Sequence, residues 1–183
     1  MYGMIHRAVR EMVLDRAGKD VWAEIERAAG IAQSELISVE VYDDAVTMRL
    51  IECAANSSQI DLEEFLVDFG RYWISYAGQS QFGSILHFTG DNLATFLRNL
   101  DRLHGSVQSV MPKASMPSFK VVAEEPGRIE VVYNSARIGL EPFVKGLMLG
   151  LLGRFGLSGD AALLSRSATG SRFEVTFQAA SGS

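Results

Sequence analysis

The sequence predicts an α+β protein: a helical N-terminal half, then an antiparallel sheet of about four strands packed on at least one helix. Three observations carry this. Up to residue 111 the apolar residues recur with helical spacing, and after the segment "MPKASMP" the period switches to two. Two short turn signals, "EPGR" and "TGS", each separate a pair of alternating stretches, which marks two hairpins. An apolar stretch lies between them, so the C-terminal half reads ββαββ. At 183 residues the chain suits a single domain with a substantial core. The expected division of 1–183 is a helical subdomain over 1–111, a linker over 112–117 and a mixed subdomain over 118–178.

Taken in order, "AVREMVLDRAGKDVWAEIERAAG" reads as two helices broken at Gly18 and closed by Gly30. "AVTMRLIECAAN" is a further helix. "DLEEFLVDFGRYWISYAG" begins at a capping Asp61 with Glu64 reaching back, and ends at Gly78. Its stripe is Leu62, Phe65, Leu66, Phe69, Trp73 and Tyr76. The next helix starts at Asp91 and buries Leu93, Phe96, Leu97, Leu100, Leu103, Val107 and Val110. Pro112 and Pro117 bound a linker that cannot continue it. "SFKVVAEE" and "RIEVVYNS" flank a type II turn at Pro126–Gly127. An apolar helix follows over about Leu140–Phe155, and "ALLSRSA" pairs with "RFEVTFQ", where Phe173, Val175 and Phe177 share a face. The tail "AASGS" is expected to fray.

Composition removes several classes of function. Hydrophobic residues make up 48% and charged residues 21%, the net charge is −5, and no Lys/Arg run is present, which argues against nucleic-acid binding. The single cysteine, Cys53, excludes an internal disulfide framework and any multi-cysteine metal site, and reads as a small core residue. "MYGMIHRAVREM" lacks the apolar run of a signal peptide, and "GLEPFVKGLMLGLLGRFG" is broken by Glu141, Pro142, Lys145 and Arg154. A cytoplasmic protein without membrane insertion is expected. No Walker motif, kinase signature or cyclase metal pair occurs, so no catalytic residue is expected and the chain reads as a non-enzyme.

The chemistry concentrates at two places. His104 lies four residues after Leu100 and three before Val107, so it points with the apolar face of its helix. A histidine aimed that way is either a core residue bonded to a carbonyl or an axial metal ligand in an apolar cleft. Gly105 follows; it is either a helix irregularity or a place where a side chain would crowd a flat group. The second place is "VVYNSAR". Tyr133, Ser135 and Arg137 alternate, so a continuing strand would aim two hydroxyls and a guanidinium to one side. That set suits paired carboxylates, such as the propionates of haem, or it is an ordinary polar strand face. His6, among charges, and His87, in "ILHFTG" near a loop, read as surface or satisfied histidines, so a peroxidase-type pair is not evident.

In these residues the chain resembles the haem–nitric oxide/oxygen binding family, H-NOX, related to the sensor region of soluble guanylate cyclase. The resemblance runs through "MYGMIHRAV", "FGRYWISY", "FLRNLDRLHGSV", "MPSF" and "YNSARIGLEPFVKGL". It implies an H-NOX-like fold, haem b (iron protoporphyrin IX) as cofactor and His104 as proximal ligand. It implies Tyr133, Ser135 and Arg137 as the propionate grip, with Pro117 pressing on the haem. Oxygen-binding members carry a distal tyrosine on the helix after the signature; "IGLEPFVKGLMLG" has none, and Pro142 takes the place, with Phe143, Val144 and Leu147 around it. Trp73 is the remaining candidate donor, or simply a large core residue; Tyr72 and Tyr76 are weaker candidates.

The resemblance therefore implies a bacterial gas sensor that binds NO and CO without a stable O2 complex. In the family NO weakens the bond to the histidine, and the helix bearing it shifts. The signal would pass to a separate histidine kinase or cyclic-di-GMP enzyme. The alternative is a ligand-binding or structural interaction module of the same fold that has lost haem.

Overall fold

The computed structural model describes residues 1–31, 40–80, 83–113, 115–167 and 170–180. By its contacts the chain forms two compact units, Met1–Phe69 and Gly70–Ser183. The segment at 112–117 lies inside the second.

The first unit holds α1 (Gly3–Ala29), α2 (Asp44–Ser57) and the start of α3 (Leu62–Gln79). Gly18, with φ 85° and ψ −176°, leaves the helical conformation in a backbone state that favours glycine, so α1 is two helical segments that meet at a kink there, as expected. Gly30 closes it, its N–H returning to the Arg27 carbonyl at 3.3 Å. Ala8, Val9, Met12, Trp22 and Ile25 of α1 are buried, as are Leu50, Ile51 and Ala54 of α2, and the two helices pack together. Asp43 caps α2 by accepting the Ala45 N–H at 2.8 Å, and Asp61 accepts the Glu63 N–H at 2.7 Å ahead of α3. Phe65, Leu66 and Phe69 are buried; Leu62, Trp73 and Tyr76 are only half-buried. Cys53 is half-buried rather than a core residue.

Of the two readings open for His6, surface or satisfied, the structure takes the second. It is fully buried, its Nε2 2.7 Å from the Thr47 hydroxyl and its ring 4.8 Å from that of Tyr42. The charged residues beside it in sequence point elsewhere on the helix, because neighbours in sequence are about 100° apart around a helix.

The second unit contains α4 (Gly83–Thr89), α5 (Leu93–Val110), β1 (Ser118–Glu125), β2 (Arg128–Asn134), α6 (Glu141–Arg154), β3 (Leu157–Ser167) and β4 (Gly170–Ala179). The strands form one antiparallel sheet in the order β1-β2-β4-β3, so both hairpins form and their second strands pair at the centre. Gly127 turns the first hairpin with φ 76°, as a type II turn requires. Of the second turn signal, Thr169 lies outside the described residues, while Gly170 and Ser171 open β4. Of the tail, Ala179 ends β4 and the Ala180 N–H donates to the Gly156 carbonyl at 3.1 Å, so these two residues are held, and 181–183 lie outside the described residues. Ile129, Val131 and Tyr133 of β2 and Phe173 and Val175 of β4 form the buried face. Leu93, Phe96, Leu97 and Leu100 of α5 join it, with Val144, Met148, Leu151 and Leu152 of α6. Truncating a fully buried residue such as Phe96 to alanine costs about 3–5 kcal/mol.

Three sequence expectations shift here. Asn92, not Asp91, caps α5, accepting the Thr95 N–H at 2.9 Å; Asp91 instead accepts from the Asn92 amide. The apolar face of α5 is buried only through Leu100; Leu103 and Val107 are half-buried and Val110 is 81% exposed. His87 lies within a short helix, α4, that a seven-residue stretch is too brief to announce by periodicity. No helix among the described residues is long and apolar enough to cross a membrane.

Candidate functional site

His104 stands on the part of α5 that emerges from the core. Leu103 and Val107 flank it, half-buried, and the Phe119 ring of β1 lies 5.8 Å away, centre to centre. Its Nδ1 is 2.9 Å from the Pro117 carbonyl oxygen. A carbonyl only accepts, so Nδ1 carries the proton and Nε2 carries the lone pair. Among the described residues no hydrogen bond to Nε2 is formed. Burial lowers the affinity of the ring for a second proton, opposed by the Pro117 carbonyl and the nearby Asp101 charge. The result is a neutral imidazole with one nitrogen anchored and the other available, the state a ligating histidine adopts.

Gly105, the next residue, is exposed, and a Cβ built there would meet no atom of the described residues within 4 Å. Glycine inside a helix costs about 1 kcal/mol relative to alanine, and no contact among the described residues requires it at this position.

Pro117 takes part through its carbonyl. Just beyond it Asp101 binds the start of β1, Oδ1 accepting the Phe119 N–H at 2.6 Å and Oδ2 the Ser118 hydroxyl at 3.0 Å. Neither Asp101 nor Phe119 stood out in the sequence. Asp101 is three residues before His104 and so shares its face, but its partner is set by how the strand docks, which periodicity does not encode.

The three polar residues meet by a route other than the expected one. β2 ends at Asn134, so Ser135 and Arg137 lie beyond the strand and not on its alternating face. Tyr133 is the last inward side chain, 5% exposed, and its hydroxyl hydrogen-bonds the Ser135 side chain. The Ser135 hydroxyl oxygen in turn accepts the Arg137 backbone N–H at 3.1 Å, a turn that folds the chain back. The Arg137 Nη1 donates to the Ser115 carbonyl at 2.8 Å. Burial raises the Tyr133 pKa, offset by Ser135 and Arg137, so the phenol keeps its proton and can donate. Phe119 links the two places: its ring is 5.2 Å from Tyr133 and 5.8 Å from His104.

Of the other predicted residues, Trp73 is half-buried on α3, its ring 6.0 Å from Tyr76, which stacks at 6.2 Å on Tyr72. Val144 is 1% exposed and belongs to the core against the sheet, with Leu147 packed at its margin. Phe143 is half-buried beside α3: a Cβ on Gly70 would come within 2.2 Å of its carbonyl oxygen, so only glycine lets the two helices approach so closely. Pro142 occupies the first turn of α6, where its missing N–H costs nothing.

Residues 2–159 match the family described as Haem-NO-binding. Among curated proteins, the chain is 31% identical over 153 residues to soluble guanylate cyclase gcy-35 of Caenorhabditis elegans, covering 81% of this chain and 22% of that protein. It is 21% identical over 148 residues to soluble guanylate cyclase 89Da of Drosophila melanogaster, covering 81% and 22%. The chain thus spans about a fifth of the length of these relatives. Among solved structures, an H-NOX protein from S. oneidensis in the Fe(II)NO ligation state superposes with a TM-score of 0.84 at 17% identity, covering 97% of this chain and 99% of that one. An oxygen-binding H-NOX domain related to soluble guanylate cyclases, in its oxygen complex, superposes at 0.79 with 22% identity, covering 97% and 95%. At these identities the structures establish the fold.

Proposed function

The chain belongs to the haem-NO-binding, or H-NOX, family of haem-based gas sensors, and on that premise we propose that it senses NO through a b-type haem ligated by His104. When bound, the haem supplies the iron at which a diatomic gas coordinates. The observation that carries the reading is the state of His104: neutral, anchored through Nδ1 to the Pro117 carbonyl, with Nε2 left for the metal. On this reading a glycine at 105 keeps a side chain from crowding the haem.

Tyr133, Ser135 and Arg137 hold the propionates. They offer two hydroxyls and a guanidinium within one hydrogen-bonded turn, already tied to the segment that precedes Pro117. His104 joins α5 to the start of β1, so displacement of its imidazole pulls on Pro117 and on the first residues of the sheet. Trp73, Phe143, Val144 and Leu147 form the gas-facing side, with Pro142 where oxygen binders place a tyrosine. NO and CO gain less from a donor than O2 does, so they bind and O2 forms no stable complex. The chain has no catalytic role of its own; it acts in the cytoplasm on a separate histidine kinase or cyclic-di-GMP enzyme.

The test is the absorption spectrum of the reduced protein alone, in air and with NO. A strong Soret band that shifts with NO, and slow oxidation in air with no oxy intermediate, is the expected result. A colourless protein that takes up no added haem overturns the cofactor assignment. A persistent oxy spectrum overturns the ligand choice.

A further inference from the structure

Asp101 and His104 lie one turn apart on α5 and reach the same short stretch of chain. His104 Nδ1 donates to the Pro117 carbonyl at 2.9 Å. Asp101 takes the next two positions, Oδ2 accepting the Ser118 hydroxyl at 3.0 Å and Oδ1 the Phe119 N–H at 2.6 Å. β1 is an edge strand, so N–H groups on its outer rim have no strand to pair with. Asp101 satisfies the one at Phe119. The Pro117 carbonyl shares its peptide plane with the Ser118 N–H, so its direction follows how residue 118 is held.

We propose that Asp101 is a positioning residue for His104: by clamping Ser118 and Phe119 to α5 with both carboxylate oxygens, it places the Pro117 carbonyl that selects the imidazole tautomer and aims Nε2. The inference rests on the reading of His104 as the haem ligand. It also accounts for a carboxylate whose two acceptors are spent on the first two residues of a strand rather than on a basic side chain. The same helix and strand are joined a second time, by the Arg98–Glu124 ion pair near the far end of β1. That pair docks α5 on β1 without touching the residues around Pro117, and so separates positioning from docking.

The experiment compares Asp101→Ala, Ser118→Ala and Arg98→Ala with the parent by two readouts. The first is the iron–histidine stretching band in the resonance Raman spectrum of the ferrous haem-loaded protein. The second is solvent exchange of the His104 Nδ1 proton, followed by NMR in the protein as purified. Asp101→Ala is expected to shift and broaden the band and to speed proton exchange several-fold. Ser118→Ala removes one of the two bonds and moves both readouts the same way by less, and it decides the matter should Asp101→Ala fail to fold. Arg98→Ala leaves both at parent values even where it lowers the melting temperature. Unchanged readouts in the Asp101 and Ser118 variants overturn the proposal, and so does an equal change in Arg98→Ala. If the parent takes up no haem, the haem reading fails, and the proton exchange still decides the role of Asp101.

Discussion

His6 and His104 both sit on long helices, and both turn a ring nitrogen to an oxygen of the protein. His6 is fully buried and meets the Thr47 hydroxyl at 2.7 Å, in a setting where Thr47 is fully buried too. A hydroxyl donates or accepts as needed, so that contact tolerates either tautomer of the ring. His104 is half-buried and meets a carbonyl, which only accepts, so one tautomer is enforced and one lone pair is presented. The more deeply buried histidine is therefore the structural one. Burial alone does not mark a ligand; the chemistry of the partner and the freedom of the second nitrogen do.

Substitutions sharpen that contrast, beginning with the largest effect. His104→Gly is expected to fold and to lose most of its haem, with added imidazole restoring part of the loading. Haem content measured against protein, with and without imidazole, checks this; parent-like loading and an unchanged ferrous spectrum would remove His104 from its role. Arg137→Ala comes next. A charged, two-pronged donor is worth about 1.5–3 kcal/mol, roughly ten- to 150-fold in haem retention, against about 1 kcal/mol and fivefold for the hydroxyl lost in Ser135→Ala. Transfer of haem to an apo-globin acceptor ranks the two. Equal rates for Arg137→Ala and the parent would sink the propionate assignment.

On the other side of the comparison, His6→Leu leaves the Thr47 hydroxyl without its buried partner. A stability loss of about 1–3 kcal/mol is expected, a fall in melting temperature of roughly 2–10 °C for a chain of this size. The ferrous spectrum should stay that of the parent. A changed spectrum at full haem loading would show that the two histidines are not as separate as their partners imply. The smallest effect belongs to Trp73→Phe. An indole N–H adds about 1 kcal/mol at most to a bound gas, so NO and CO affinity should change by less than about fivefold. An oxy spectrum present in the parent and lost in this variant would identify Trp73 as a distal donor.

Much of this protein was legible residue by residue. The switch from helical to alternating periodicity after residue 111, the kink at Gly18, the hairpin at Pro126–Gly127 and the stripe Leu93–Leu100 follow from local rules of spacing, capping and turn chemistry, and the structure has them. His104 was legible because helical spacing places it on an apolar face. Where α5 leaves the core was not, because Val110 continues the pattern while no element among the described residues covers it. Nor was the meeting of Tyr133, Ser135 and Arg137, which depends on β2 ending at Asn134 and a serine folding the chain back. Spacing along a chain determines which side chains share a face. Which carbonyl stands opposite His104, which backbone N–H falls to Asp101, and which histidine receives a hydroxyl instead are decided only when distant segments dock, because each depends on the position of a backbone group that carries no side-chain signature.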